Sequence, residues 1–588
     1  MPGLTLLLTA RNGDAKVPFS AAQASMLHAP DYRAALAGCG DGLIVGHVAY
    51  PEYPLRLIEH AGTLVAVEGR IYNSDSVAIE ASLRGLADVA FTSPTACRDA
   101  VHRWMLEHDG EYVVLIASLG SGEVLLFNDP LGRLPLYYSV TNSELVAARE
   151  CKFVARLSGA RFDRLGWAQA LWLGYPLSGR TLFEGIQRLP CGAMLSARRT
   201  AGGIACSIKQ LVQLQFDNKD TETPVVDHVR DLIDELAASC RRRGLYSGNS
   251  TNLVSLSGGQ DSRAVAAALR RVDIPFSAVT FRTASGRGAR EVPGAMAIAS
   301  RLGMPWELFR LPDADMAQQR RLVILKDGQN YVGMAFILPF MDALVARWGR
   351  GAVYITGDGG DKLLPSLLPA ASIPSPEALV RHVEERHSLV PSGTVEAVFG
   401  LASGTLRDDL GRVLEKYPER DLAQKAVHYT IYERGVQWLF EGEDRARFFM
   451  WQTSPFYSLP FVERAMRVPD RFKASGRLYR HIQLALAPDL ASIPDANHGL
   501  PIRSPLYPLR IWTIGNYLRL SRQARSRIKG MLGRNRRVVV PEEMLALISD
   551  DSLMDAATVR SLLETGGEST VFNWATLALL EREWPGRG

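Results

Sequence analysis

At 588 residues, with 47% hydrophobic and 22% charged residues, the chain has the composition of a globular protein, not of a disordered or fibrous one. A formal net charge of +5 is small for this length and by itself predicts no nucleic-acid partner. Six cysteines, at 39, 97, 151, 191, 206 and 240, form no C-x-x-C pair and no metal-ligand spacing, which suits a reducing compartment. No apolar run nears the ~20 residues needed to span a bilayer, and the run 5–9 is too short and lacks the charged flank of a signal peptide. The expectation is a cytoplasmic protein with no membrane partner.

Residues 1–210 show short β-like runs separated by turns, at 42–48, 64–67, 112–117 and 124–127. The stretch 216–224 turns polar and reads as a linker between two domains. A helix is predicted over 225–243, followed by strand 252–256, helix 263–271, strand 276–281, helix 290–302 and strand 352–356. That alternation predicts a parallel sheet with helices on both faces in a second domain, 225–588. Beyond about residue 375 the pattern is mostly helical.

The strand 252–256 runs directly into Ser257-Gly258-Gly259-Gln260-Asp261-Ser262. Small residues let backbone N–H groups approach an anion that a bulky side chain would hold away. The helix that follows points its N-terminal partial charge at the same place. Ser257 and Ser262 add hydroxyl donors, and Asp261 offers the hard oxygen that Mg²⁺ takes. Without a Gly-Lys-[Ser/Thr] ending this is not a Walker loop. It resembles the pyrophosphate loop of the ATP pyrophosphatases, which release pyrophosphate and leave AMP on the substrate. The resemblance makes ATP and Mg²⁺ the expected cofactors, with Ser255, Leu256, Ser257, Gly258, Gly259, Asp261 and Ser262 as ATP contacts.

Further stretches fall in order along the chain. They are Glu68-Gly-Arg-Ile-Tyr-Asn73, Asn128-Asp-Pro-Leu-Gly-Arg-Leu-Pro-Leu-Tyr-Tyr138, Thr181-Leu-Phe-Glu-Gly-Ile-Gln-Arg-Leu-Pro-Cys-Gly192 and Thr356-Gly-Asp-Gly-Gly-Asp361. Together they resemble the asparagine synthetase family. That resemblance implies an α/β fold: an N-terminal-nucleophile-type αββα sandwich, then a parallel-sheet ATP pyrophosphatase domain with a helical C-terminal part. It also implies that Asp361 joins Asp261 on the metal, and that Gly357 and Phe281 lie near the nucleotide. A substrate carboxylate would attack the α-phosphorus, and an amine would then displace AMP. Asp358 stands at the family's Glu position, where it would orient the amine or take its proton. Glu443 lies in a segment, Glu441 to Arg445, similar to the family's Asp-Arg segment and is a further catalytic candidate. Lys473 and Arg477 are candidates for a cation near the intermediate, while Tyr479 aligns with the family's lysine.

The departures are informative. Active relatives begin Met-Cys-Gly, whereas this chain begins Met1-Pro2-Gly3, and proline has neither a thiol nor a primary amine to act as nucleophile or base. Glu68 and Arg70 replace the family's substrate-binding Asn and Glu, and Val48 and Ala49 replace its paired arginines. Trp451 and Ser458 replace acidic residues of the acceptor region. An inactive glutaminase joined to an intact ATP site is expected. Such a design resembles the β-lactam synthetases and the lasso peptide cyclases, which take the amine from the substrate. The leading expectation is macrolactam formation in a lasso peptide precursor, with a peptide substrate and a leader-peptide protease or recognition protein as partners. An ammonia-fed asparagine synthetase, a small-molecule cyclase and an ATP-binding pseudoenzyme are the alternatives. The basic stretch 519–537 reads either as a holder of an acidic peptide or as a solvated face.

Overall fold

The computed structural model describes residues 2–11, 15–40, 42–246, 250–519, 528, 531 and 540–584. The basic stretch singled out in the sequence lies almost wholly outside them.

The first domain is two facing antiparallel sheets of six strands each. One runs in the order Gln187–Arg188, Tyr137–Val140, Glu144–Ala148, Gly3–Thr9, Leu43–Ala49, Arg33–Gly40. The other runs Gly203–Gln210, Ala193–Thr200, Glu123–Asn128, Gly110–Ser118, Thr63–Ile71, Leu55–His60. Alternation fixes the layers. Along Gly110–Ser118, Val113, Leu115 and Ala117 face the opposite sheet, while Val114 and Ile116 face the helices Ser76–Ala90 and Pro94–Glu107. Helices Lys16–Ala24 and Cys151–Ser158 cover the other outer face. The result is an αββα sandwich.

The polar stretch 216–224 is docked along its length. Phe216 is fully buried against His428 and Tyr432, and the Asp220 amide donates to the Arg467 carbonyl at 2.8 Å. Polarity at this position marks a surface path, not a free tether.

The second domain is built on five parallel strands in the order Trp306–Leu311, Ser277–Thr283, Asn252–Ser255, Val353–Ile355, Trp451–Thr453. Both faces are buried, as parallel sheets require: Leu253 and Tyr354 belong to one core, Val254, Val353 and Ile355 to the other. The two outermost strands were not anticipated. Trp306–Leu311 is a half-buried edge, and Trp451–Thr453 has only three residues, too few to show a period. Order reverses on either side of Asn252–Ser255, so the loop that leaves it opens at a topological switch point. Helices fill the region after Pro376, and the last, Glu568–Glu583, returns to pack on Arg164–Leu173 of the first domain. Among the described residues no helix is long and apolar enough to cross a membrane.

Charge dominates the seam between domains. Arg149 donates to Glu68 Oε1 at 2.9 Å and to Asp444 Oδ1 at 2.5 Å, and Arg188 donates to Glu441 Oε1 at 2.6 Å. Lys326 bridges Asp444 and Glu441. Arg243 meets Asp109 at 3.1 Å. All of these groups are buried.

Candidate functional site

The phosphate-type loop is closed by its own hydroxyls. Ser262 Oγ accepts from the Ser257 amide at 2.9 Å and lies 3.0 Å from Ser257 Oγ, which accepts from the Gly259 amide at 3.1 Å. Gly259 is extended and caps the helix Gln260–Arg271 with no side-chain cap, so the first amides of the helix face the loop. A Cβ on Gly258 would meet Ala496 Cβ at 2.8 Å, so glycine is required there by close packing. Leu256 is buried, its carbonyl accepting from Thr280 Oγ1 at 2.7 Å, and Ser255 engages the Tyr354 hydroxyl.

A second loop lies against the first. A Cβ on Gly357 would sit 2.5 Å from the Ser262 amide nitrogen, and one on Gly360 would sit 2.5 Å from Asp261 Oδ1. Gly359 adopts φ +102° with the Tyr457 ring against it. Glycine at these positions lets the two loops touch, and Asp261, Asp358 and Asp361 thereby surround one opening. Asp358 Oδ2 accepts from Thr356 Oγ1 at 2.8 Å and from Gln452 Nε2 at 3.3 Å, and its carboxylate reaches solvent at the bottom of a cleft walled by protein. Desolvation there raises its pKa, with Asp361 adding repulsion. Asp361 is exposed and paired with Lys362.

Asp261 carries the clearest electrostatic signature. Burial, and then repulsion from Asp361, push its carboxyl up to about 8, against the bond it accepts from the Tyr479 hydroxyl at 2.5 Å. Two carboxylates that repel each other at the mouth of an anion-binding loop fit a hard divalent cation between them and a phosphate. Among the described residues there is no cluster of three or more His, Cys, Asp or Glu that would bind a metal on its own.

The remaining predicted residues divide. Lys473 is buried, donates to the Leu363 carbonyl at 3.0 Å just past Asp361, and is drawn down to about 7 by burial and then by Lys219. Arg477, four residues on, is exposed and donates to the Arg471 carbonyl. Glu443 is held by Arg133 of the first domain, whose Nε donates to it at 3.0 Å, and burial moves its carboxyl to about 7. Phe281 stacks among Phe336 and Phe340 with centroids at 5.6 and 5.0 Å.

Several residues at the site gave no sequence signal. Arg263, fully buried, donates to the carbonyls of Leu490, Ile493, Gly258 and Pro494 and so staples the loop to the chain's C-terminal part. Asp495 gathers Gln260, His498 and Tyr507. Arg133 lies between the Phe440 and Tyr457 rings, 5.1 and 4.7 Å from their centroids. In the first domain, Glu68 accepts from the Leu4 amide at 2.9 Å, from Tyr53 and from Arg149, so the start of the strand Gly3–Thr9 faces a filled, charged interior.

Residues 44–206 match the family model for a glutamine amidotransferase domain, and residues 233–436 match that for asparagine synthase. No curated protein matches the chain. Among solved structures it is similar to the glutamine phosphoribosylpyrophosphate amidotransferase of B. subtilis complexed with ADP and GMP. That pair is 13% identical over 61% of this chain and 77% of that one, with a TM-score of 0.23. An allosteric regulatory enzyme of purine biosynthesis is 14% identical over 65% and 78%, with a TM-score of 0.24. Scores this low say nothing further about the present protein. The chain thus pairs a region similar to a glutamine amidotransferase domain with one similar to asparagine synthase, and the second match supports an ATP-dependent, amide-forming synthetase.

Proposed function

We propose that the protein is an ATP-dependent carbon–nitrogen ligase that forms AMP and pyrophosphate, and that its substrate is a peptide closed into a macrolactam of the lasso type. The observation that carries the ligase reading is the contact between the two glycine loops, which gathers Asp261, Asp358 and Asp361 around one opening. In this reading the Ser257–Ser262 amides and hydroxyls bind the phosphates, and Asp261 and Asp361 hold Mg²⁺, which would neutralise the departing pyrophosphate. Asp358, with its raised pKa, orients the attacking amine and takes its proton. Lys473, buried beneath the Asp361 turn, supplies a cation that can be discharged near neutral pH.

The amine comes from the substrate, not from glutamine. The place a nucleophilic first residue would serve is occupied by Glu68, its carboxylate bonded to the Leu4 amide and to Arg149. That filling favours a first domain retained for support.

The test is pyrophosphate release from Mg·ATP in three arms. One arm has no substrate, one has aspartate with ammonium, and one has a linear peptide of about twenty residues with a free N-terminus and an internal Asp or Glu. Peptide-stimulated release with loss of water from the peptide mass supports the proposal. Asparagine from aspartate and ammonium overturns the peptide assignment. Absence of Mg²⁺-dependent ATP binding overturns the ligase itself in favour of a pseudoenzyme.

A further inference from the structure

Three arginines of the domain seam are neutralised: Arg133 by Glu443, Arg149 by Glu68 and Asp444, Arg188 by Glu441. Arg445 is different. It is 6% exposed, its Nη1 donates to the neutral Asn330 Oδ1 at 2.6 Å, and its Nε is buried with no partner. Among the described residues no carboxylate stands within ion-pair distance of it. Burial draws its pKa down to about 10, and the charge that most opposes this is Asp358, followed by the hydroxyls of Tyr331 and Tyr354. Arg445 therefore shares one electrostatic field with the open carboxylate of the cleft, without touching it. A guanidinium kept this dry without a counter-ion is disfavoured unless an anion arrives to pair with it.

We propose that Arg445, with Asn330 beside it, anchors a substrate carboxylate, held across the cleft from the amine at Asp358. This rests on the ligase reading and gives it a recognition element. Two opposite charges, farther apart than an ion pair yet mutually attracted, match a ligand that brings a carboxylate to one and an ammonium to the other. The planar fork of arginine fits a carboxylate with two parallel hydrogen bonds.

The experiment titrates the full-length protein, loaded with Mg²⁺ and α,β-methylene-ATP, with two probes by calorimetry. One is N-acetyl-aspartate α-amide, with a single side-chain carboxylate; the other is N-acetyl-asparagine α-amide, isosteric and neutral. The wild type should bind the carboxylate at least about tenfold more tightly than the amide. Arg445→Gln should lose that preference while its affinity for the nucleotide analogue stays within about twofold, and Arg445→Lys should keep part of the preference. Equal binding of the two probes by the wild type, including binding of neither, overturns the proposal. So does a preference that survives in Arg445→Gln, or a nucleotide affinity that falls with it, which would assign the guanidinium to the phosphates. If Arg445→Gln does not fold, the preference of the wild type and its reduction in Asn330→Leu decide the matter. Failure of the wild type to bind the nucleotide analogue refutes the ligase reading instead and is a separate result.

Discussion

Replacing Arg149 by methionine should loosen the joint between the domains. Its guanidinium is fully buried and makes three bonds: to Glu68 at 2.9 Å, to Asp444 at 2.5 Å and to the Pro135 carbonyl at 2.5 Å. Asp444 keeps Lys326 at 2.5 Å, but Glu68 is left with only Tyr53 and the Leu4 amide. Breaking one member out of a buried pair costs about 3–5 kcal/mol because a charge is stranded. At about 2–4 °C per kcal/mol for a unit of ~200 residues, the expected fall in melting temperature is ~6–20 °C. Burial already raises the Glu68 pKa, and Arg149 is the main force opposing that rise. Without Arg149 the folded-state pKa moves further above the unfolded value, so stability is retained in acid and lost as pH rises through it. The destabilisation should therefore grow with pH. Glu68→Gln/Arg149→Met should regain at least half of the loss, since exchanging both partners of a buried pair is often near neutral. Scanning calorimetry of the four proteins between pH 5 and 8 makes the comparison. An Arg149→Met protein as stable as the wild type, or a double variant as unstable as the sum of the singles, would refute this account of the seam.

Other expectations concern the cleft and the first domain. Asp261→Asn and Asp361→Asn should each lower pyrophosphate release at least about a hundredfold with unchanged circular dichroism, and wild-type rates would remove them from the metal. Because Asp261 sits at about 8, Mg²⁺ affinity without nucleotide should tighten as pH rises toward that value and level off above it; titration showing pH-independent affinity would contradict this. Lys473 is protonated below about 7, so activity should fall as pH rises through that point, and Lys473→Met should abolish that limb of the profile. No glutamate should be released from glutamine, given the Glu68 carboxylate bonded to the Leu4 amide and Arg149, and a measurable glutaminase rate would show that reading to be mistaken.

What the sequence disclosed was what is local. Ser257 to Ser262 and Thr356 to Asp361 can be read because small residues, hydroxyls and carboxylates lie a few positions apart, and both loops leave buried strands. The contacts that complete the site join distant parts of the chain. Tyr479 reaches Asp261 across 218 positions, and Arg133 reaches Glu443 across 310. Arg263 reads as an ordinary helical residue until three carbonyls of the C-terminal part and that of Gly258 close on it. Lys473 and Arg477 are both cations four residues apart; only packing makes one buried and the other exposed. Glu443 illustrates the converse difficulty. An acidic residue beside an Asp-Arg pair suggests chemistry, whereas the fold engages its carboxylate with an arginine from the other domain.

The seam also gives the first domain a structural role. Glu441, Glu443 and Asp444 all project from one short helix of the synthetase half, and all three are buried. Their cations are largely borrowed: Arg188, Arg133 and Arg149 belong to the first domain. Stripped of that domain, the three carboxylates would face either water, with the helix undocked, or a partly collapsed interior with only Lys326 and Arg447 to offset them. Stranding even one such charge costs about 3–5 kcal/mol, a large share of the roughly 5–15 kcal/mol by which whole domains are stable. Arg133 ties this to the chemistry, because the Tyr457 ring under its guanidinium also packs against Gly359, next to Asp358. A chain of direct contacts thus runs from Glu111 through Arg133 and Tyr457 to the Asp358 loop. The first domain forms one wall of the cleft, and that physical dependence holds whether or not it has any chemistry of its own.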